Sequence, residues 1–435
     1  MTSNYDLKPL TQVCEVLSGG TPKTTVPEFW NGNIPWASVK DFNINSRWFS
    51  KTEKSISQLG LDSCSSVLLE PGDLVISARG TVGVVGQCKM RTSFNQSNYG
   101  LRAKSALSKN DYLYYALSYA KRALIGDTHG GMFDTITRDT LDRLLIPVPT
   151  LKVQEQIAEI LGSLDMKIAA NNALSKTLES IAQTIFKSWF IDFDPVKAKM
   201  AGEKPSGMDA ATTALFPDAM EESGFGLIPT GWEVKTLGDV ITALESGKRA
   251  RGGAQDSGVP SIGAESIRGL GKFDYSSKKF VSEEFYNDLP TGKVRPYDVL
   301  VYKDGAGAGS YVSMFGEGFP FEKFAINEHV FLLRSDSLPQ SFLYFWLSEK
   351  KQKRLMIELA QKSAQPGLNQ QDTKSIPILV PSNKVCEAFE EITRPMISYI
   401  LKNSKQDKEL ETLRDTLLPR LISGELQIPE EILAS

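Results

Sequence analysis

Internal repetition limits the fold of this chain more than any other feature of its sequence. LLIPVPTLKV at 144–153 recurs as IPILVPSNKV at 376–385, an offset of 232 residues. Nearer the start of each copy, GDLVISARG at 72–80 matches YDVLVYKDG at 297–305 at an offset of 225 residues, as insertions in loops would produce. Repetition over this length indicates two successive copies of one structural plan.

Each copy begins with a mixed globular part. Short apolar runs bounded by Gly and Pro, such as 74–76 and 299–301, are typical of strands. Segments 111–124 and 341–359 carry apolar residues at helical spacing. With 435 residues and 41% hydrophobic composition, the chain is long and apolar enough for more than one core. The globular parts are therefore predicted to be α/β domains.

A long helix is predicted after each globular part, because the segments following Pro149 and Pro381 carry a heptad pattern. Asn171 and Asn403 share one heptad position, where Asn can fix the register of a helix pair at some cost in stability. Pro395 predicts that the second helix kinks or starts late. We expect the helices to pack on each other, although packing of each helix on its own domain remains an alternative. The predicted inter-helix seam contains Ile157, Leu161, Leu164, Ile168, Asn171, Leu178, Met396, Ile400, Asn403, Leu410 and Leu417.

The segment between the copies is rich in Gly, Pro, Ala and charged residues, which is the composition of a connector. The predicted organisation is a first domain at 1–150, a first long helix at 151–193, a connector at 194–230, a second domain at 231–381, a second long helix at 382–424 and a tail at 425–435.

Motifs of the common enzyme classes are missing from the sequence. GGTPKT at 19–24 lacks the spacing of a P-loop, and KDGAGAGSY at 303–311 lacks the GxGxxG spacing. The chain has two histidines and four dispersed cysteines without a CxxC pair, which argues against a zinc site. We therefore expect no catalytic residue, metal or cofactor in this chain.

Charge and hydropathy bear on the partners and the location of the protein. The net charge of −3 neither indicates nor excludes a nucleic-acid partner, because phosphate binding depends on local cation density. Residues 1–110 hold 12 Lys and Arg against 8 Asp and Glu, whereas residues 245–340 hold 12 against 13. The sequence has neither an apolar run of membrane-spanning length nor a secretory signal at its start, so we expect a cytoplasmic protein.

Several passages together resemble the DNA-specificity subunits of type I restriction-modification enzymes. These are the repeated plan itself, IPVPTLKVQEQIAEIL at 146–161, PGDLVISARGTVG at 71–83 and FPDAMEESGFGLIPTGWEVKTLGDV at 216–240. The resemblance covers nearly the whole chain. It implies an α/β fold with two target-recognition domains in tandem repeat, each followed by a long α-helix, the two helices packing as an antiparallel coiled coil.

The resemblance also implies function and partners. Each domain would read one half of a split sequence in double-stranded DNA, and the helices would set the gap and dock two modification subunits. S-adenosylmethionine would bind those subunits, while ATP and Mg would serve restriction subunits that act as motor and nuclease. A bipartite scaffold that binds proteins without reading DNA is the alternative.

Candidate DNA-binding residues follow from the need for paired donors and acceptors on loops of a rigid scaffold. Lys40 and Arg268 end passages that align loosely, and Arg79 and Lys303 follow the matched strands. Gln96, Asn98 and Arg102 are further candidates, although FNQSNYGLR at 94–102 could equally be a buried strand.

The predicted subunit interface is the aromatic end of the first helix. Trp189, Phe190 and Phe193 are more aromatic than a solvated helix end requires. Core packing of these side chains is the alternative that the sequence leaves open.

Overall fold

The computed structural model describes residues 3–42, 46–125, 135–250, 252–276, 278–362 and 365–429. The chain forms two compact units. Unit 1 comprises Met1–Ala169 and Glu409–Ser435, and unit 2 comprises Ala170–Lys408. Each unit therefore contains one globular domain and part of both long helices. The residue boundaries given above for the domains, long helices, connector and tail stay predictions.

Within the described ranges, strands and helices follow a similar order in both copies, with one more strand in the first and one more helix in the second. The elements of the first copy are β1 (Leu7–Pro9), α1 (Leu10–Val13), β2 (Cys14–Ser18), β3 (Trp30–Ala37), β4 (Trp48–Phe49), β5 (Lys54–Ile56), α2 (Gln58–Asp62), β6 (Leu74–Ser77), β7 (Val85–Cys88), β8 (Ser93–Phe94), β9 (Asn98–Ala103), α3 (Asn110–Ile125), α4 (Arg138–Arg143), β10 (Leu145–Pro147) and α5 (Leu151–Phe190).

The rest of the chain adds the connector and the second copy. Its elements are α6 (Asp194–Met200), α7 (Ala210–Ala214), β11 (Met220–Ser223), β12 (Gly226–Pro229), β13 (Glu233–Thr236), α8 (Leu237–Val240), β14 (Ala243–Ser246), β15 (Val259–Ile262), β16 (Phe280–Val281), α9 (Glu283–Asp288), β17 (Val299–Tyr302), β18 (Val312–Met314), β19 (Ala325–Ile326), β20 (Val330–Arg334), α10 (Gln340–Ser348), α11 (Lys350–Ala360), α12 (Gln370–Lys374), β21 (Pro377–Val380) and α13 (Asn383–Ser423).

The main sheet of unit 1 has the strand order β2-β9-β6-β7-β4, and a smaller sheet has the order β5-β3-β8. Side chains of a strand alternate between the two faces of its sheet. Accordingly, Leu74 and Ile76 of β6 join a core with helix α3, while Val75 joins a second core with Ala37 and Phe94. A strand buried on both faces explains the continuous apolar run in the sequence.

Unit 2 repeats this plan. Its main sheet has the order β14-β20-β17-β18, and its smaller sheet has the order β16-β15-β19. Val299 and Val301 of β17 face the large core, and Leu300 faces the smaller one. The two α/β domains predicted from the repeat are therefore confirmed.

The long helices α5 and α13 pack antiparallel, as predicted. In unit 2, Asn171 on α5 lies beside Asp407 on α13, with 2.7 Å between Nδ2 and Oδ1, and Phe186 packs on Phe389, with ring centroids 5.7 Å apart. In unit 1, Arg414 Nη1 donates to Asp165 Oδ1 at 2.8 Å. The alternative in which each helix packs only on its own domain is wrong.

The seam combines polar and apolar contacts. Asn403 Nδ2 donates to Ser175 Oγ at 3.1 Å, so both seam asparagines are buried and hydrogen-bonded. Ile157 and Leu161 belong to the unit 1 core, and Ile400 belongs to the large core of unit 2. Helix α13 begins at Asn383 and continues through Pro395, so the late start predicted for it is wrong.

The connector is folded in spite of its composition. It contains two short helices and the β11–β12 hairpin, and Val196, Phe216 and Ile228 are buried in the large core of unit 2. Burial of these apolar side chains offsets the entropy cost of ordering a Gly- and Pro-rich segment. Among the helices that the structure describes, none is both long and apolar enough to cross a membrane.

Candidate nucleic-acid interface

Four loops meet at one edge of the sheets in unit 1. Strands β3 and β8 are parallel neighbours, so the loops that follow them leave from the same edge. Backbone N–H groups join the loops in three places: Asn95 to Ala37 O at 3.0 Å, Gly20 to Phe94 O at 2.9 Å and Ala78 to Ser97 O at 2.8 Å. We call this surface, made of residues 19–23, 38–41, 78–83 and 95–97, the first loop edge.

Unit 2 builds the same edge with equivalents of two of these three bonds. Strands β15 and β19 are parallel neighbours. The N–H of Asn327 donates to Ile262 O at 2.9 Å, and the N–H of Lys303 donates to His329 O at 3.0 Å. The second loop edge consists of residues 247–250, 263–268, 303–309 and 327–329.

Close backbone approach at each edge requires glycine. A β-carbon on Gly19 would lie 2.1 Å from Asn95 O, and one on Gly247 would lie 1.8 Å from Ile326 O. Both distances are far shorter than any allowed contact, so a side chain at either position would push the loops apart. The repeated glycines are therefore part of how the edges are assembled.

Strand register corrects the pairing of candidate residues between the copies. Ala78 and Lys303 make equivalent backbone bonds, so Lys303 corresponds to Ala78, and Arg79 corresponds to Asp304. The register of the parallel strands likewise makes Lys40 of the first copy equivalent to Glu265 of the second, not to Arg268. The loose alignment of 36–41 with 260–269 caused the error for Lys40, whereas the 225-residue offset of the matched strand segments already pairs Arg79 with Asp304.

Lys40, Arg79 and Gln96 lie exposed on the first loop edge. Among the described residues, neither Lys40 nor Arg79 has a carboxylate within ion-pair distance. The Gln96 side-chain oxygen accepts a hydrogen bond from the Thr21 hydroxyl, which joins two of the loops. These side chains can reach a polyanion without first breaking an internal ion pair.

Asn98 is buried on strand β9, as the buried-strand alternative proposed, whereas Arg102 on the same strand is partly exposed. Asn98 Nδ2 donates to Asn95 Oδ1 at 2.6 Å and is 1% exposed. Arg102 donates through Nε and Nη2 to the buried carboxylate of Asp73, with a shortest distance of 2.5 Å. The Asn98 amide nitrogen and the Arg102 guanidinium donate internal hydrogen bonds, whereas the buried Asn98 Oδ1 has no partner among the described residues. The engaged donors make a DNA contact the weaker interpretation.

Unit 2 repeats the ion pair at the equivalent position. Arg334 Nη2 lies 2.7 Å from Asp298 Oδ2. Burial raises the pKa of the Asp298 carboxyl, and the hydrogen bonds from Arg334 act against that rise. Two copies of one buried pair at equivalent strand positions indicate a role in the fold.

The candidates of the second loop edge are already engaged. Arg268 is exposed, and its guanidinium lies 5.3 Å from the centre of the Tyr311 ring. Lys303 Nζ donates to Glu328 O at 2.9 Å and lies 3.0 Å from Asp304 Oδ2. This edge therefore offers fewer free cations than the first one.

Sequence reasoning missed several edge residues. Lys23 on the first loop edge is exposed. Beside the second edge, Lys248, Arg249, Lys279 and Glu328 line a pocket of about 240 Å³. The equivalence of Gly19 and Gly247, each followed within four residues by a cation, was the signal that could have found the loop lysines.

The described residues contain no group of three or more His, Cys, Asp or Glu that could hold a metal ion. Burial raises the pKa of the Cys14, Cys88 and Cys386 thiols to about 12. Thiols with such pKa values are poor nucleophiles at neutral pH.

Trp189 and Phe190 belong to the large core of unit 2, and the partly buried Phe193 packs against it. Trp189 and Phe190 are 6% and 1% exposed, and Phe190 packs against Phe342 with ring centroids 4.9 Å apart. Phe193 packs on Trp232 at 5.9 Å. Their aromatic density is explained by core packing, which was the alternative to a subunit interface.

Comparison with known proteins identifies a family model and several relatives that match this chain. The family model described as type I restriction modification DNA specificity domain matches the chain twice, at residues 2–180 and 229–408. The MjaIX specificity subunit of a type I restriction enzyme from Methanocaldococcus jannaschii is 26% identical over 434 residues, which cover 98% of this chain and 94% of that protein. The HindI specificity subunit from Haemophilus influenzae is 27% identical, covering 70% of this chain and 73% of that protein.

A solved structure shares the fold. The crystal structure of a type I restriction-modification S subunit from M. genitalium superposes with a TM-score of 0.58 at 15% identity, covering 97% of this chain and 96% of that one. The repeated architecture is thus the same in the two proteins.

Proposed function

Since this chain belongs to the type I restriction-modification DNA specificity family, we propose that it is the DNA-reading subunit of such an enzyme and that each loop edge reads one half of a split sequence. The observation that carries the proposal is the repetition of one loop edge, held by equivalent backbone hydrogen bonds, in both units. Loops fixed on a sheet present side chains in a defined geometry, which base reading requires.

Charge on the edges supports a nucleic-acid partner. Lys23, Lys40 and Arg79 are exposed on the first loop edge, where cations can replace the counterions of DNA phosphates. Lys248 and Arg249 are exposed on the second. Phosphate contacts of this kind position a protein on DNA, and contacts to base edges then select the sequence.

The long helices are proposed to set the separation of the two half-sites. Helix α5 has 40 residues and α13 has 41, and at about 1.5 Å per residue such helices are roughly 60 Å long. Antiparallel packing with a buried Asn pair resists sliding of one helix along the other. The gap in the recognised sequence would thus be a property of helix length.

Partner subunits are proposed to dock on outward positions of these helices. In unit 2, Leu174 and Ile181 are exposed seven residues apart on α5, and Ile392 and Tyr399 are exposed seven residues apart on α13. Apolar residues at heptad spacing suit the docking of further helices. We propose that two modification subunits bind there, bringing S-adenosylmethionine, and that restriction subunits bring ATP and Mg, so that this chain itself catalyses no step.

A DNA-binding assay separates this function from a protein-binding scaffold. We expect the chain, assembled with its modification subunits, to bind duplex DNA with an affinity that falls steeply as salt rises, because phosphate contacts release counterions. Fluorescence anisotropy between about 50 and 200 mM salt measures the slope. A stable protein complex without salt-sensitive DNA binding would favour the scaffold.

A further inference from the structure

Gln96 and Glu328 occupy the same place in the two loop edges. Each follows an Asn whose side-chain oxygen accepts the backbone N–H two residues further on. The distance is 3.2 Å from Ser97 N to Asn95 Oδ1 and 2.9 Å from His329 N to Asn327 Oδ1. The two loops therefore hold the residue after the Asn in the same turn, with an amide side chain in one copy and a carboxylate in the other.

The backbone of Glu328 is held firmly. Its carbonyl oxygen accepts from Lys303 Nζ at 2.9 Å and from Ser246 Oγ at 3.1 Å. These bonds come from the end of strand β14 and from the loop that follows strand β17. The backbone position of Glu328 is thus fixed before any ligand binds.

The carboxylate of Glu328 has unused acceptor capacity. The nitrogen atoms within ion-pair distance of it are His329 Nε2 at 3.5 Å and Arg249 Nε at 4.0 Å, and both distances are long for hydrogen bonds. Among the described residues, none donates a hydrogen bond to it. The side chain is 31% exposed and lines the pocket of about 240 Å³ beside the edge.

A carboxylate at a DNA-facing edge is suited to contact a base rather than a phosphate. Phosphates repel it, whereas the neighbouring Lys248, Arg249 and Lys279 attract them. In the major groove, however, cytosine presents its N4 amino group as a donor, and Glu or Asp accepts from it. Gln instead pairs with adenine through N6 and N7, so Gln96 and Glu328 would read different bases from the same scaffold position.

We propose that Glu328 is a specificity-determining residue of unit 2 that accepts a hydrogen bond from the exocyclic amino group of a cytosine in the major groove. The inference rests on the proposed function, because it takes the second loop edge to face DNA. It adds the base class that this position selects and names Gln96 as the counterpart for adenine.

The test is substitution of Glu328 in the complete complex with the modification subunits. Methylated adenines are mapped across a genome for the wild type and for Glu328→Gln. We expect one C·G pair in one half of the motif to lose its preference by about 5- to 150-fold, corresponding to about 1–3 kcal/mol, while the other half stays unchanged. Glu328→Ala should relax the same position, and Asp336→Asn, at the opposite end of β20, is the matched control.

The outcomes separate this inference from the proposed function. An unchanged motif in both Glu328 variants overturns the role of Glu328 while a split wild-type motif still supports DNA reading. A wild type that methylates no split motif contradicts the proposed function instead. Where a variant methylates too weakly to map, competition binding with duplexes varied at each position reports the same preference, and equal discrimination by variant and wild type overturns the inference.

Discussion

Charged side chains in this protein divide into those that form buried ion pairs within the sheets and those that are exposed on the loop edges. Arg102 and its repeat Arg334 neutralise the buried carboxylates of Asp73 and Asp298, whereas Lys40 and Arg79 are exposed on the first loop edge. The sequence pattern does not distinguish ion-paired polar residues from exposed ones. The fold distinguishes them, because burial depends on which strand lies beside each residue.

Removing edge cations should weaken DNA binding without changing the sequence read. For Lys40→Ala and Arg79→Ala we expect lower affinity for all duplexes and a salt slope smaller by about one per lost phosphate contact. The measurement is anisotropy of the assembled complex at several salt concentrations. Lys89→Ala, at the opposite end of strand β7 from the first edge, is the control and should bind like the wild type. If Lys40→Ala, Arg79→Ala and Lys89→Ala all gave the same salt slope, Lys40 and Arg79 would not contact DNA phosphates.

Removing Arg102 should affect folding instead. In Arg102→Ala the Asp73 carboxylate, 3% exposed, loses its cation, and we expect a loss of about 3 kcal/mol in the free energy of unfolding. Urea denaturation measures this loss. Arg91→Ala breaks an exposed pair with Glu70 and should cost less than about 1 kcal/mol. If Arg102→Ala were as stable as the wild type but poor in DNA binding, the DNA-contact hypothesis for Arg102 would be right.

At the scale of elements, the helices and the strands differ in how far the sequence predicts them. The helix pair was predictable because heptad spacing is local and because Asn171 and Asn403 recur at one offset. The loop edges were not, since they depend on parallel pairing of β3 with β8 and of β15 with β19, strands far apart in the chain.

Helix length should control the gap in the recognised sequence. We predict that inserting one helical turn into each of α5 and α13 lengthens the gap, because each added residue extends a helix by about 1.5 Å. Methylation mapping should show both half-sites unchanged and only their separation altered. A changed half-site with the original gap would contradict the role of the helices as spacers.

At the scale of the whole molecule, the repeat is both the strongest sequence signal and the basis of the function. Two units with one fold and different side chains on equivalent edges can read two unrelated half-sites. Repetition, connector and helix pair could be found from the sequence. The burial of Trp189 and Phe190 could not be predicted from the sequence. An aromatic helix end has the same sequence pattern whether it packs on its own chain or on a partner.

The central claim is that each unit reads its own half of a split target, and exchange of one reading segment tests it most directly. Residues 1–110, which contain the whole first loop edge, are replaced by those of a relative with a different target. The chimera is co-expressed with the modification subunits, and methylated adenines are mapped by single-molecule sequencing. We predict a split motif in which one half changes and the other half and the gap are retained. A motif that changes in both halves, or a stable complex that methylates no split motif, would contradict the account.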